Sequence, residues 1–184
     1  MSRSFYNSNK YSIAGLAFLL TLSSFTYLIL KNWQIADGYK IKFDGKYAHG
    51  SFSDLTGLIS FNPDSLGAAK FNVSVDVASI ETGNDLKNKH AKSEKWFDAE
   101  QFPKIKFTSS EVSKQDTGYV VRGTLELHGI KKDIAIPFSF QQESGAAKFY
   151  GKFKVNRGDF GIGKSTGKES DSTTVEVFVP VVSQ

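Results

Sequence analysis

Hydrophobic and polar residues alternate with a period of two along most of the chain beyond residue 38. In residues 71–77 (FNVSVDV), every second residue is apolar. This period is typical of a β-strand with one buried face, whereas an amphipathic helix repeats every 3.6 residues. The same pattern predicts further strands at residues 55–61, 105–109, 119–127, 134–140, 147–155 and 173–182.

The connections between these predicted strands are short and rich in turn residues. They include residues 116–118 (DTG), 128–131 (HGIK) and 143–145 (ESG). Short links join antiparallel neighbours, and closing such a meander into a barrel removes its exposed edges. We therefore predict a mainly β protein with an antiparallel, lipocalin-like β-barrel of about eight strands.

Residues 82–97 (TGNDLKNKHAKSEKWF) break the strand pattern. They contain no β-branched residue after Thr82 and begin with residues that favour helix N-caps. We expect one short helix here, lying across the wall or the mouth of the barrel. Its lysines face solvent or, alternatively, an anionic group. These lysines are Lys87, Lys89, Lys92 and Lys95.

Residues 13–30 form an uncharged, apolar segment of 18 residues near the N-terminus. As a helix it would extend about 27 Å, slightly less than the ~30 Å hydrocarbon core of a bilayer. Its length and the lack of an A-x-A-like cleavage site favour an uncleaved membrane anchor, and a cleaved signal peptide stays open as the alternative. Tyr27 and Trp33 stand where interfacial aromatic residues are expected, and Arg3 and Lys10 favour a cytoplasmic N-terminus.

Both interpretations divide the chain into residues 1–36, the anchor or signal segment, and residues 37–184, an exported domain. The domain is then periplasmic or otherwise extracytoplasmic. It stays at the membrane if the segment is retained and is released if the segment is cleaved. The sequence carries no signal for the oligomeric state.

Composition excludes several kinds of chemistry. The chain has no Cys, which removes disulfides, thiolate metal sites and cysteine nucleophiles. Its 23 basic and 19 acidic residues are mixed along the chain, so no nucleic-acid partner is expected.

The spacing of the histidines and serines indicates no catalytic or metal motif. His49, His90 and His128 lack metal-ligand spacing, and no serine lies in a G-x-S-x-G elbow. We expect no catalytic residue, no metal and no cofactor.

Residues 158–165 (GDFGIGKS) match the P-loop pattern G-x-x-x-x-G-K-[ST]. A P-loop requires a helix directly after it, because the helix N-terminus helps to hold the phosphates. The following residues (TGKESD) are polar and interrupted by glycine, and a strand pattern comes next. The motif is therefore expected to be a glycine-rich loop between strands.

The predicted strands carry many apolar residues on one face. An eight-stranded barrel either fills its interior with such side chains or encloses a small ligand, and the pattern leaves both options open. The residues expected to line the interior are Ile59, Phe61, Phe71, Val73, Val75, Phe107, Val121, Leu125, Ile136, Phe138, Phe149, Phe153 and Val177.

Several segments, in order and spacing, resemble the YceI-like family of polyisoprenoid-binding, lipocalin-like proteins. The resemblance covers about residues 39–182, and no single short motif carries it. The segments are residues 50–61 (GSFSDLTGLISF), 79–84 (SIETGN), 89–109 (KHAKSEKWFDAEQFPKIKFTS), 123–132 (GTLELHGIKK) and 156–162 (NRGDFGI).

The resemblance implies a non-catalytic carrier that binds an isoprenoid chain, on a quinone or a polyprenyl phosphate, inside an exported barrel. Lys87, Lys92 and Lys95 are then possible contacts for an anionic head group. The leading hypothesis is thus a binding protein for an isoprenoid or similar long apolar lipid. The alternative is a membrane-tethered structural or interaction domain with a filled core. An enzyme acting on a lipid or glycan is a third class, for which the sequence offers no catalytic constellation.

Overall fold

The structure is a computed structural model that describes residues 30–46, 49–164, 166–167 and 171–184. Within these residues lie eleven strand segments, one α-helix and three 3-10 helices. The strands are β1 Asn32–Ile35, β2 Lys40–Gly45, β3 His49–Phe52, β4 Leu55–Ser60, β5 Lys70–Asp76, β6 Ile80–Glu81, β7 Lys104–Gln115, β8 Gly118–Leu127, β9 Ile130–Glu143, β10 Ala146–Asn156 and β11 Ser172–Ser183. The helix α1 is Asp85–Ala91, and the 3-10 helices are Leu66–Ala68, Val77–Ser79 and Arg157–Phe160.

The strand segments form one antiparallel sheet that closes on itself. β1 pairs with β4 and β2 pairs with β3, while β4 pairs with β5 and β3 pairs with β6. The pairs β1/β2, β3/β4 and β5/β6 therefore each behave as one interrupted strand. These three, with the five strands β7 to β11, make an eight-stranded up-and-down barrel. The predicted fold class is confirmed for the barrel.

The last strand closes the ring. The first half of β11 pairs with β2, and its final residues pair with β1. Along its other edge, β11 pairs with β10 over its whole length from Ser172 to Val182. Both edges of β11 are thus hydrogen-bonded, so neither is an open edge of the kind that favours aggregation.

Two of the hairpins use the turns that the sequence predicts. β8 and β9 are joined through His128 and Gly129, which have φ angles of 52° and 74°. β9 and β10 are joined through Ser144 and Gly145, with φ angles of 34° and 87°. Two consecutive left-handed residues match the twist of the flanking strands, which explains why Gly occupies the second position of both turns.

One end of the barrel is closed by aromatic side chains. Phe61 lies at their centre, with its ring centroid 4.8 Å from that of Phe140, 5.5 Å from Phe138 and 5.6 Å from Phe149. These pairs are close to edge-to-face, a favourable arrangement for aromatic rings. Trp33 is 1% exposed beside them, and its indole N–H donates to the carbonyl of Phe61 over 2.9 Å. We call these five side chains the aromatic floor.

The position of Trp33 corrects the expectation that it lies at a membrane interface, because it belongs to the barrel core. β1 also begins at Asn32, so the barrel starts before the expected boundary between residues 36 and 37. The apolar segment at residues 13–30 lies outside the described residues except for Leu30. Among the described residues, no helix is long and apolar enough to cross a membrane.

The P-loop-like motif lies between two barrel strands, as expected. Its first residues belong to the 3-10 helix Arg157–Phe160. Its other described residues, 161–164, form neither helix nor strand. The chain then returns as β11, antiparallel to β10. The described part of the motif therefore has no helix to complete a phosphate cradle.

Candidate functional site

The barrel encloses a cavity of about 780 Å³, a volume within the usual range of ligand sites. The interior is therefore not filled by side chains. Of the thirteen residues expected to line it, twelve do so, and Phe61 instead lies in the aromatic floor. The twelve are Ile59, Phe71, Val73, Val75, Phe107, Val121, Leu125, Ile136, Phe138, Phe149, Phe153 and Val177. Their role in binding a ligand stays a prediction.

The cavity opens at the end of the barrel opposite the aromatic floor, beside α1. Leu86 in α1 lines the cavity and is nevertheless 77% exposed. Lys87, His90 and Ala91 of the same helix also line the cavity. These four positions lie on one side of a helix, so α1 forms part of the mouth. The expectation of one short helix is confirmed, and of its two expected places, the wall and the mouth of the barrel, the helix occupies the mouth.

α1 is a short helix that is held in place by polar contacts. Asn84 caps its first turn, since its side-chain oxygen accepts a hydrogen bond from the Lys87 amide over 3.0 Å. Asn88 is buried, and its side-chain oxygen accepts from the amide and the hydroxyl of Thr82. The Asn88 amide group donates to both carboxylate oxygens of Glu81, each at 3.0 Å. Asn88 thus joins α1 to β6.

The environment of Glu81 favours its charged form. Hydrogen bonds from the Asn88 side chain and then from the Gly83 amide lower the pKa of the Glu81 carboxyl below its ordinary value. The Gly83 amide lies 2.6 Å from Oε1. Ionised Glu81 is therefore part of the connection between the mouth helix and the barrel.

The segment after α1 covers the mouth from a second side. Trp96 and Phe97 both line the cavity, and the Phe97 ring lies 5.9 Å from that of Phe52 in β3. Trp96 lies between the His90 ring, at 5.8 Å, and the Arg157 guanidinium, at 5.9 Å. These aromatic and cationic contacts connect α1 to the loop after β10.

Arg157 and Asp171 form a buried ion pair that holds this loop. Asp171 is 0% exposed and accepts from Arg157 Nη2 at 2.5 Å. Arg157 also donates to the carbonyls of Ile162 and Lys164, and Thr166 donates to the second oxygen of Asp171. Satisfying both partners through further hydrogen bonds is what a buried ion pair requires. Arg157 and Ile162 line the cavity from this loop.

The histidines do not converge on one point. His49 and His90 line the cavity mouth, whereas Nδ1 of His128 lies 3.0 Å from the carbonyl of Phe160 in the loop after β10. Among the described residues, no group of three or more His, Asp or Glu side chains is arranged to hold a metal ion. What the cavity offers chemically is apolar burial.

The lysines proposed as head-group contacts lie in different places. Lys87 lines the cavity, whereas Lys92 and Lys95 are not among its lining residues. Sequence reasoning also missed Ile41, Phe43 and Phe52, which line the cavity from β2 and β3. Alternation of apolar residues in residues 41–43 was the available signal, but the segment is too short to separate a strand from a loop.

The sequence and the fold are both similar to those of known proteins. A family model for the YceI-like domain matches residues 33–182. The chain belongs to the YceI-like family. A UPF0312 protein of Pseudomonas syringae pv. tomato is 34% identical over 160 residues, which cover 82% of this chain and 83% of that protein. A UPF0312 protein of Photorhabdus laumondii is 28% identical over 181 residues, covering 88% and 94%.

Solved structures share the fold of this chain. BcnA of Burkholderia cenocepacia matches with a TM-score of 0.72 at 22% identity, covering 77% of this chain and 95% of that one. A polyisoprenoid-binding domain from Saccharophagus degradans, implicated in plant cell wall breakdown, matches with a TM-score of 0.61 at 14% identity. That match covers 85% of this chain and all of the other. At these identities, the two comparisons establish the fold.

Proposed function

We propose that this YceI-like protein is a non-catalytic carrier that binds the long apolar chain of an isoprenoid or similar lipid inside its barrel. The observation that carries the proposal is the apolar cavity of about 780 Å³, which extends from a mouth beside α1 to the aromatic floor. The fold likeness to the polyisoprenoid-binding domain of Saccharophagus degradans supports it.

The physical basis of binding is transfer of an apolar chain out of water. Each buried CH2 group contributes about 0.8 kcal/mol, so a chain of many carbons gains affinity without specific polar contacts. The mouth leaves room for a polar end to stay near solvent, because Leu86 and Lys87 on its rim are exposed. A barrel with these properties tolerates differences in the head group while it selects for a long tail.

The alternative proposal, an interaction domain with a filled core, is less consistent with this interior. A filled barrel would bring the inward residues of opposite strands into contact along its whole length. Here they do so around the aromatic floor, and the cavity separates them nearer the mouth.

The proposed location of the barrel is outside the cytoplasm. The support for it is the apolar segment at residues 13–30 and the basic residues Arg3 and Lys10 before it. A retained segment makes the protein a tethered acceptor of lipid, and a cleaved one makes it a soluble carrier. The intact mass of the mature protein, isolated from a bacterial host, distinguishes these two outcomes.

Lipid extraction tests the proposed function. The full chain is expressed in a bacterial host, purified in a neutral detergent and studied by native mass spectrometry, with organic extraction of what it carries. We expect about one long-chain prenyl lipid for each chain. A ligand-free mass that stays unchanged after incubation with quinones and polyprenyl phosphates would overturn the proposal and favour the interaction domain.

A further inference from the structure

The closed end of the cavity is formed by three phenylalanine rings. Phe71, Phe138 and Phe149 all line the cavity. Their ring centroids are 5.5 Å apart for Phe71 and Phe138, 5.6 Å for Phe71 and Phe149, and 6.0 Å for Phe138 and Phe149. Aromatic rings at these distances are in contact, so an apolar chain cannot pass between them unless one ring moves. We call these three side chains the inner rings.

The inner rings meet across the interior of the barrel. Phe71 belongs to β5, whereas Phe138 and Phe149 belong to β9 and β10. Two strands, β7 and β8, separate β5 from β9 in the wall. Phe71 therefore reaches the other two rings through the interior, and the three rings together close its cross-section.

A second aromatic layer lies behind the inner rings. The ring of Phe61 is 6.1 Å from that of Phe71, 5.5 Å from Phe138 and 5.6 Å from Phe149. Phe140 lies 4.8 Å from Phe61, and neither Phe61 nor Phe140 is among the cavity-lining residues. Because this layer is packed against the inner rings, they have no open space behind them into which they could move.

The inward side chains become smaller directly on the mouth side of the inner rings. Two residues nearer the mouth, the inward residues of β5, β9 and β10 are Val73, Ile136 and Gly151. All three line the cavity, and Gly151 has no side chain to fill it. The open space therefore ends at the level where these residues give way to phenylalanine.

We propose that the inner rings set the maximum length of the apolar chain that the barrel buries. The inference rests on the proposed function, because the buried chain is that of the carried lipid. Each isoprene unit adds affinity as long as it is transferred from water into the cavity. Once the chain reaches the inner rings, further units stay outside the cavity and add nothing. The protein then selects its lipid by tail length as well as by apolar character.

A series of isoprenoid alcohols tests the inference. The full chain in neutral detergent is titrated with all-trans prenols from farnesol to decaprenol, which share one uncharged head group and differ by single isoprene units. Native mass spectrometry measures the affinity for each. We expect the affinity of the wild type to rise with each unit up to a limiting length and to stay level beyond it. An affinity that rises through the whole series would overturn the inference.

Phe71→Ala should make the limiting length longer. The substitution removes a ring of about six carbon atoms and leaves a space beside Phe61, since neighbouring side chains relax only partly into such a hole. An apolar hole of this kind stays dry and accepts an apolar group. We expect the limit to move outward by about one isoprene unit. The first prenol beyond the wild-type limit should then bind about tenfold or more tightly than the prenol at that limit.

Val73→Phe should make the limiting length shorter. The new ring lies two residues nearer the mouth than Phe71 on the same strand, where the cavity is open. We expect the limit to move inward by about one isoprene unit, because the chain now meets an aromatic ring earlier. This variant creates no hole in the core, so it decides the question by itself if Phe71→Ala does not fold.

Phe140→Ala is the matched control. Phe140 and Phe71 are both partly buried and both contact Phe61, but Phe140 does not line the cavity. Its truncation should leave the limiting length at the wild-type value. Each limit comes from ratios of affinities measured on one variant, so a smaller folded fraction does not move it.

The outcomes separate this inference from the proposed function. Limits that stay unchanged in both Phe71→Ala and Val73→Phe would overturn the role of the inner rings and leave the carrier function standing. The same shift in Phe140→Ala as in Phe71→Ala would also overturn that role, because the length limit would then depend on the whole aromatic cluster. Failure of every prenol to bind the wild type, together with a ligand-free mass after purification, would overturn the carrier function itself.

Discussion

At the scale of single residues, Trp33 shows how a side chain near a predicted membrane segment can belong to the barrel core. Its ring is 1% exposed, and its N–H donates to the carbonyl of Phe61, where the chain leaves β4. The indole thereby connects β1, the first strand of the ring, to the centre of the aromatic floor. Without the Trp33 N–H, the buried carbonyl of Phe61 would lose this hydrogen bond.

We expect Trp33→Phe to lower the free energy of unfolding by about 1–3 kcal/mol, the typical cost of a buried polar group that loses its partner. The measurement is urea unfolding of the full chain in neutral detergent, followed by circular dichroism. The control is Tyr150→Phe, which removes a hydroxyl from a residue that is 43% exposed in β10. A loss in the free energy of unfolding no larger than that of the control would contradict the role of the Trp33 N–H as a stabilising buried donor.

At the scale of elements, α1 depends on a few polar contacts more than on its own stability. Helices of this length are marginal in water, and α1 has only seven residues. Asn84 caps it, and Asn88 connects it to Glu81 and Thr82. The position of α1 at the cavity mouth therefore depends on the ionised carboxylate of Glu81.

The attachment of α1 should weaken in acid. Because the folded protein lowers the pKa of Glu81, its contribution to stability is present above the unfolded-state pKa and is lost as the pH falls through the lower folded-state value. We expect the wild type to protect α1 amides from hydrogen exchange better than Glu81→Gln at neutral pH. After correction for intrinsic exchange rates, the two should converge in strong acid, below the folded-state pKa of Glu81.

The variant Glu94→Gln provides the control for this experiment. Glu94 is exposed just after α1, and it carries the same type of side chain as Glu81. Its α1 protection should follow that of the wild type at every pH. If the wild type still protects the α1 amides better than Glu81→Gln does in strong acid, then Glu81 acts through something other than its charge.

At the scale of the whole molecule, ring closure produces both the stability and the cavity of the protein. The sheet closes on itself because β11 pairs with both β1 and β10, and the apolar faces turned inward meet around the aromatic floor but not near the mouth. The same inward faces therefore serve as core at one end and as a candidate binding surface at the other.

Filling the cavity should abolish lipid binding and preserve the fold. Val177 lines the cavity next to Gly151, its register partner on β10, so Val177→Trp places a large side chain in the open space. We expect native mass spectrometry to show loss of the co-purified lipid, with a far-ultraviolet circular dichroism spectrum like that of the wild type. Retention of the lipid would contradict the assignment of the cavity as its site.

The matched control is Thr174→Trp on the same strand. Thr174 is not among the cavity-lining residues, whereas its neighbours Thr173 and Val175 are. A Trp at this position adds the same side chain outside the cavity, and its β-propensity is compatible with a strand. The lipid should therefore be retained.

How well a feature of the fold could be predicted from the sequence depends on how far apart in the chain the interacting residues lie. The period-two pattern in residues 71–77 placed Val73 and Val75 on the cavity side of β5, because alternation in a strand is a local geometric rule. The hairpin at His128 and Gly129 was equally predictable, since left-handed residues are a local requirement of the turn.

Other features depended on contacts between residues far apart in sequence. Alternation placed Phe61 on an inward face, but only packing against Phe138, Phe140 and Phe149 put it in the floor instead of the cavity wall. Likewise, the helix pattern predicted α1, whereas the contact between Asn88 and Glu81 fixed which lysine faces the mouth.

The antiparallel barrel, the short helix and most of the inward apolar residues could be predicted from the sequence alone, because strand period and turn chemistry act over a few neighbouring positions. The family was indicated by the order and spacing of several segments along the chain. Three features became visible only in the folded protein: β1 belongs to the ring, the interior keeps an open cavity, and Lys87 lines its mouth whereas Lys92 and Lys95 do not. These depend on strand register and on packing across the barrel, which sum over contacts that no local pattern records.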